Sequence, residues 1–148
     1  MKPVVYSKQV AGVTLLLEGG ALLMQHRDQK PGLPYAGMWS IPSGHKEPSE
    51  SPEECARREL FEETGYRCKS LHPLTVLNDR DDTETDYLLT VFWACYDGIQ
   101  RLQCFEGQAL EFIERAAAAS YPMPPFILAI WDQARREASF HETKHKKN

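Results

Sequence analysis

The chain has no apolar run approaching the roughly 20 residues that a membrane-spanning helix needs. Its most apolar stretch near the start, Val10 to Leu17, is cut by Glu18, Gly19 and Gly20, so it does not read as a signal peptide either. No C-x-x-C spacing links the four cysteines, Cys55, Cys68, Cys95 and Cys104. They therefore read as buried thiols of a core rather than a disulfide frame, and the expected location is the reducing cytoplasm. There is no excess of positive charge: 17 Lys and Arg face 21 Asp and Glu, a net of -4. That balance argues against a partner held by bulk charge, whether a nucleic-acid polymer or an anionic membrane. Nothing repeats, and no linker splits the 148 residues. At 42% apolar and 26% charged the composition is that of one globular domain, not of a disordered chain or a coiled coil. The expected division is a domain over residues 1–143 and a basic tail over 144–148.

Two strands, Val10 to Leu17 and Ala21 to His26, flank the Gly19-Gly20 turn and read as a hairpin. Asp28 to Gly37, with Pro31, Gly32 and Pro34, is a loop, and Met38 to Ile41 a short extended piece ended by Pro42, Ser43 and Gly44. From Ser51 the pattern turns helical. Ser51 suits the N-cap, Pro52 the first turn, Glu54 a capping box and Gly65 a left-handed stop, predicting a helix over Pro52 to Thr64. Its apolar stripe is thin: Cys55, Ala56, Leu60 and Phe61. Further strands are expected at Tyr66 to Leu77, Tyr87 to Tyr96 and Leu110 to Ile113, with an acidic loop from Asn78 to Asp86. A short helix at Ala116 to Ala119 and a longer one at Phe126 to Ala138 follow. This order predicts an α/β (α+β) fold, a mixed sheet flanked by helices.

The helix carries the chemistry. At 100° per residue, Glu59, Glu62 and Glu63 fall on one face within about 100° of arc. Like charges at these spacings repel by a few tenths of a kcal/mol per pair, and folding gains nothing from them. A divalent cation would, and an all-oxygen set suits Mg²⁺ or Mn²⁺ rather than zinc. Arg58 precedes Glu62 by four residues and can pair with it, and Glu50 can reach the same face. Three glutamates alone are more simply a solvated acidic face.

The wider pattern, Gly44, Glu50, Arg58, Glu59, Leu60, Glu62, Glu63 and Gly65, matches G-x5-E-x7-R-E-(apolar)-x-E-E-x-G at every fixed position. A chance match in a chain of this composition is roughly one in a million. The chain thereby closely resembles the Nudix family over 23 residues. Tyr66 stands where an aliphatic residue is usual, and Ser43 where Pro-Gly-Gly often precedes the box. The resemblance implies a Nudix-type α/β/α sandwich and Mg²⁺-dependent hydrolysis of a nucleoside diphosphate linked to another moiety. It implies that Glu59, Glu62 and Glu63 hold the metal with the Gly44 carbonyl, that Arg58 orients them and that Glu50 supports the site. The resemblance further implies a general base, expected to be Glu59 or Glu62, or else Glu106 from a later loop, which is otherwise an ordinary loop carboxylate. Arg27, placed where such proteins often carry a basic phosphate contact, is a candidate for substrate binding or a plain surface arginine. The expected partner is a small nucleoside diphosphate derivative, and many members dimerise, so a homodimer is open. The alternative reading on the same fold is a module that senses a nucleotide without cleaving it. The complete set of carboxylates speaks against that.

His141-Glu-Thr-Lys-His145 matches the H-E-x-x-H zinc protease signature. With three residues after it in this sequence and polar surroundings, neither a third ligand following it nor a buried cleft is expected. Trp39 reads as core. Tyr35, Tyr87, Phe92, Trp93, Phe112 and Tyr121 are candidates for a base-stacking surface, with no means of choosing among them.

Overall fold

Gly19 and Gly20, at φ 95° and 98°, turn the chain between β1 (Gln9–Leu16) and β2 (Leu22–His26), a left-handed geometry that glycine adopts without penalty. The computed structural model describes the backbone of residues 8–146 and the side chains of residues 8–141. After the hairpin come β3 (Trp39–Ser40), β4 (Ser43–His45), α1 (Pro52–Thr64), β5 (His72–Arg80), β6 (Asp86–Cys95), β7 (Ala109–Ile113), a 3₁₀ helix (Arg115–Ser120) and α2 (Ile127–Lys146). The strands form one sheet in the order β3-β2-β1-β6-β5, with β4 added to β1 and β7 to β2. β1 and β6 run parallel from Gln9↔Leu88 to Leu16↔Cys95, while the other pairings are antiparallel.

β1 is covered on both faces, which is why it reads as a nearly unbroken apolar run rather than an alternating one. Ala11, Val13 and Leu15 pack with Leu23 under Cys55, Ala56 and Leu60 of α1. Leu16, Leu22, Met24, Val91 and Trp93 pack under Ile127, Ile130, Trp131 and Ala134 of α2. Sheet and helices make the expected α/β/α sandwich.

α1 starts and stops where its capping residues dictate. The Glu54 N–H donates to Ser51 Oγ (3.1 Å) and the Ser51 N–H to the Glu54 carboxylate (2.9 Å), while Gly65 at φ 77° sends its N–H to the Phe61 carbonyl. Ser51→Ala removes one half of this box. It is expected to cost about 1 kcal/mol and to lower the melting temperature by about 2–4 °C, measurable by scanning calorimetry.

Several expectations are corrected. The strand expected from Tyr66 starts only at His72 and runs on to Arg80. Tyr66 is instead buried beneath α1, its N–H donating to Thr64 Oγ1. Asn78, Asp79 and Arg80 are ladder residues opposite Leu88, Tyr87 and Asp86, so the acidic loop shrinks to residues 81–85. β4, hidden by Pro42 and Gly44, pairs with β1 as Ala11↔Gly44. Phe61 is outside the stripe, 41% exposed beneath the Arg67 guanidinium. Of the cysteines only Cys55 is buried, and Cys95 and Cys104 are exposed. α2 extends past Ala138 to Lys146. The side chains of the expected basic tail 144–148, and those of the His141–His145 motif beyond His141, lie outside the described residues. Among the described residues no helix is long and apolar enough to cross a membrane.

Candidate active site

Three carboxylates, Glu59 and Glu63 of α1 and Glu106 of a loop, bring ligand oxygens within 4.8 Å of one another. The two helical acids lie on the edge of α1 that faces the sheet. Glu106 is delivered by backbone bonds: the Phe105 N–H donates to the Glu63 carbonyl and the Gln108 N–H to the His26 carbonyl. The buried Gln25 of β2 adds a bond from Nε2 to the Glu106 carbonyl (2.9 Å). The loop is thus pinned to the C-terminal turn of α1 and to β2.

Glu62 goes elsewhere. Its side chain is 55% exposed and pairs with Arg58 Nη1 at 3.2 Å, outside the three-carboxylate cluster. Arg58 is the hub beside that cluster. It holds Glu50 through two bonds, Nε to Oε2 (3.1 Å) and Nη2 to Oε1 (2.6 Å), a bidentate geometry that fixes both partners. Nη1 reaches Glu59 Oε1 (2.9 Å) and Nη2 the His45 carbonyl (3.0 Å). The Arg58 guanidinium holds the Glu50 carboxyl down at about 2, helped by the Glu47 N–H.

The electrostatics of the other two helical acids run the opposite way. Burial raises the Glu59 carboxyl, Arg58 opposes this, and the Glu62 and Glu106 charges add to it. Glu63 is 2% exposed, and its Oε2 is buried without a hydrogen-bond partner among the described residues. Burial, then the charges of Glu106 and Glu59, push its carboxyl up to about 9. Gln25 and Arg27 oppose this only in part, and a buried carboxyl with one unpaired oxygen beside two other acids is costly unless a cation satisfies it.

Gly44 lies against this cluster. A β-carbon there would sit 2.1 Å from Glu59 Cδ, so only glycine lets β4 approach that carboxylate. Beside the carboxylates opens a cleft of about 520 Å³ lined by Arg27, Gly44, His45, Glu59 and Glu106, together with Lys8, Tyr35, Ile41, Tyr87, Leu89 and Phe126. Arg27 is fixed by its Nε donating to the Pro34 carbonyl (2.8 Å).

The structure sorts the aromatic candidates that spacing left undivided. Tyr35 and Tyr87 line the cleft. Phe92 and Trp93 are core residues, and Phe112 packs on Tyr96. Tyr121 packs edge-on against Trp39, which in turn stacks on His26 at 4.7 Å, so Trp39 serves packing. Lys8, His45 and Gln25 were not singled out by sequence reasoning. None stands at a fixed position of a motif, and the role of each depends on tertiary placement.

The NUDIX domain family model matches residues 6–132. A putative 8-oxo-dGTP diphosphatase 3 of Mycobacterium tuberculosis is 29% identical over 120 residues, covering 78% of this chain and 54% of that protein. An RNA pyrophosphohydrolase of Mesorhizobium japonicum is 38% identical over 63 residues, 40% of this chain and 36% of that one. The chain thus spans only part of the length of the curated relatives it matches, from 35% to 60%. Among solved structures, the NUDIX domain of Shewanella oneidensis NrtR in complex with ADP ribose superposes with a TM-score of 0.76 at 19% identity, covering 91% of this chain and 90% of that one. A MutT protein from Methanosarcina mazei superposes at 0.74 and 21% identity, covering 88% and 94%. These two show the same fold. With the family model matched over most of its length, the chain belongs to the NUDIX domain family.

Proposed function

We propose that this chain is a Mg²⁺-dependent pyrophosphohydrolase that cleaves a phosphoanhydride bond of a nucleoside diphosphate derivative. The reading rests above all on Glu63, whose buried Oε2 has no hydrogen-bond partner among the described residues and whose carboxylate offers an oxygen within 4.8 Å of oxygens of Glu59 and Glu106 beside a cleft. The donor set is all oxygen, which fits a hard cation, Mg²⁺ or Mn²⁺. Glu59, Glu63 and Glu106 would hold it, with the Gly44 carbonyl as a further oxygen. Bound there, the cation supplies charge neutralisation of the phosphate oxygens and a lowered pKa for the attacking water.

The rest of the work falls to this chain's side chains. Arg58 keeps the Glu59 carboxylate in place through Oε1, leaving Oε2 to accept the proton of the attacking water as general base. Glu50 locks the Arg58 guanidinium, and Glu62 pairs with its outer edge. Both act by positioning. Arg27 and Lys8 line the cleft where phosphates would enter, and each cation there lowers the cost of bringing a polyanion toward carboxylates.

The names of the relatives support the substrate class: an 8-oxo-dGTP diphosphatase, an RNA pyrophosphohydrolase and an ADP-ribose complex share a phosphoanhydride. The test is a panel of nucleoside triphosphates, ADP-ribose, nucleotide sugars and dinucleoside polyphosphates, with products identified. Turnover that requires Mg²⁺, falls to background on chelation and returns when Mg²⁺ is restored supports the proposal. Tight binding of a panel member with no product in Mg²⁺ overturns it in favour of a sensing module.

A further inference from the structure

We propose that Tyr35 is a positioning residue that sets the width of the substrate cleft, its phenol clasped by Asp79 so that the loop 28–37 is held against the β5–β6 hairpin. The proposal rests on the hydrolase reading above and adds a specificity element to it. Both walls belong to the cleft: Gly32, Leu33, Pro34 and Tyr35 line one part, and Asp81, Thr83, Thr85 and Tyr87 another.

Tyr35 joins them. Its hydroxyl donates to Asp79 Oδ2 (2.7 Å) and its backbone N–H to Asp82 Oδ1 (2.8 Å). Among the described residues these are the hydrogen bonds that tie the loop to the hairpin. The Tyr87 hydroxyl donates to the same Asp79 oxygen (2.6 Å), so one carboxylate oxygen collects two phenols, one from each wall. Charge-assisted bonds of this kind are the strong ones. Burial and the Asp79 carboxylate both push the two phenols above their ordinary range, so both remain donors.

The backbone shows that the clasp holds against a local preference. Tyr35 has φ 55°, a left-handed conformation that a bulky L-residue adopts only when its surroundings impose it. It sits between Gly32 and Gly37, which are also left-handed at 80° and 74°. Tyr35 is 8% exposed, and its ring meets that of Phe126 edge-on at 6.2 Å. The hairpin side is rigid in its own right, because Asp81 Oδ1 accepts from the Thr83 N–H, the Thr83 hydroxyl and the Thr85 N–H. The loop is therefore the movable partner. It also carries the Pro34 carbonyl that fixes Arg27, so releasing Tyr35 slackens the cleft wall and its cation together. Both effects act on substrate binding, and among the described residues no hydrogen bond links Arg27 or this loop to the carboxylates of α1.

The experiment compares the wild type with Tyr35→Phe, Asp79→Ala, the double variant and Tyr87→Phe on the fastest substrate of the panel. Tyr35→Phe keeps the ring on Phe126 and loses only the hydroxyl. It is expected to raise KM about tenfold, the worth of one bond to a charged acceptor, with kcat within about twofold. Asp79→Ala is expected to do the same, and the double variant no worse than Asp79→Ala alone. Tyr87→Phe spares the Tyr35 bond and is expected to move KM less. An unchanged KM in Tyr35→Phe, or a fall in kcat at constant KM, overturns the clasp. If the wild type turns over no panel member, the hydrolase reading fails on its own. Hydrogen exchange of the amides of residues 32–37 then decides the clasp: about tenfold faster exchange in Tyr35→Phe sustains it, and equal rates overturn it.

Discussion

Glu63→Gln is expected to raise the melting temperature of the metal-free protein by several degrees while lowering hydrolysis by about 10²–10³-fold, the loss of several kcal/mol of charge stabilisation. The stability gain follows from the buried acid. Its carboxyl is moved from 4.5 to about 9 by burial and by the neighbouring charges of Glu106 and Glu59. At pH 7 the folded protein must therefore take up a proton that the unfolded chain does not bind, which costs about 3 kcal/mol. Glutamine is neutral in both states and avoids this.

The pH dependence has a definite sign. An acid raised on folding binds more protons in the folded state, so metal-free wild type loses stability as pH climbs from the ordinary carboxylate range toward 9. The variant lacks that slope. Calorimetry at pH 6, 7 and 8, with and without Mg²⁺, reads both effects: Mg²⁺ should raise the wild-type midpoint, more so at higher pH, and leave Glu63→Gln unmoved. A destabilised variant that still responds to Mg²⁺ would mean that Glu63 is satisfied in some other way. Stability given up at a buried polar site in exchange for function is a common trade.

The Nudix-type sandwich was readable because local and global signals agree along most of the chain. Ser51, Glu54 and Gly65 bracket α1, the Gly19-Gly20 turn marks the hairpin, and the two-faced apolar run of β1 marks a strand covered on both sides. The failures occur where tertiary pairing outweighs local polarity. Asn78, Asp79 and Arg80 look like loop residues, yet their backbones complete a ladder with Tyr87 and its neighbours. Ser43 and Gly44 look like a turn, yet β1 presents an edge that they fill.

The candidate site divides in the same way. The box residues could be recognised because their types and spacing are set by chemistry. A helical wheel, however, places Glu62 and Glu63 on one arc without knowing where the sheet lies. The structure puts Glu63 inside and Glu62 out with Arg58. Glu106 could be named only as a loop carboxylate, because its approach depends on Phe105 and Gln108 bonding to α1 and β2. Tyr35 could be named only as one of six aromatic candidates: Pro34 and Gly37 announce a loop, and nothing in the letters announces a left-handed tyrosine bonded to Asp79.

Gly44→Ala is expected to leave the fold intact and to lower kcat/KM by about 10²-fold, the usual consequence of moving a reacting group by about 1 Å. The added β-carbon would stand 2.1 Å from Glu59 Cδ and 2.3 Å from both of its oxygens. The obstacle is the end of a flexible side chain, so Glu59 swings aside and the backbone stays. Gly44 lies in β4, where alanine is no worse than glycine, and the melting temperature of the metal-free protein should change by no more than about 2 °C. What is lost is the convergence of Glu59 on Glu63 and Glu106, and with it the bond from Arg58 Nη1. The rise in melting temperature on adding Mg²⁺ should shrink in parallel with the rate. Gly107→Ala provides the contrast. There φ is +82° and the new carbon would meet the His26 carbonyl at 2.6 Å, so backbone rather than side chain must yield and stability falls outright. If Gly44→Ala retains both wild-type turnover and the full Mg²⁺ response, then the Glu59 carboxylate is not needed where β4 allows it to lie, and the assignment of proton acceptance to that residue fails with it.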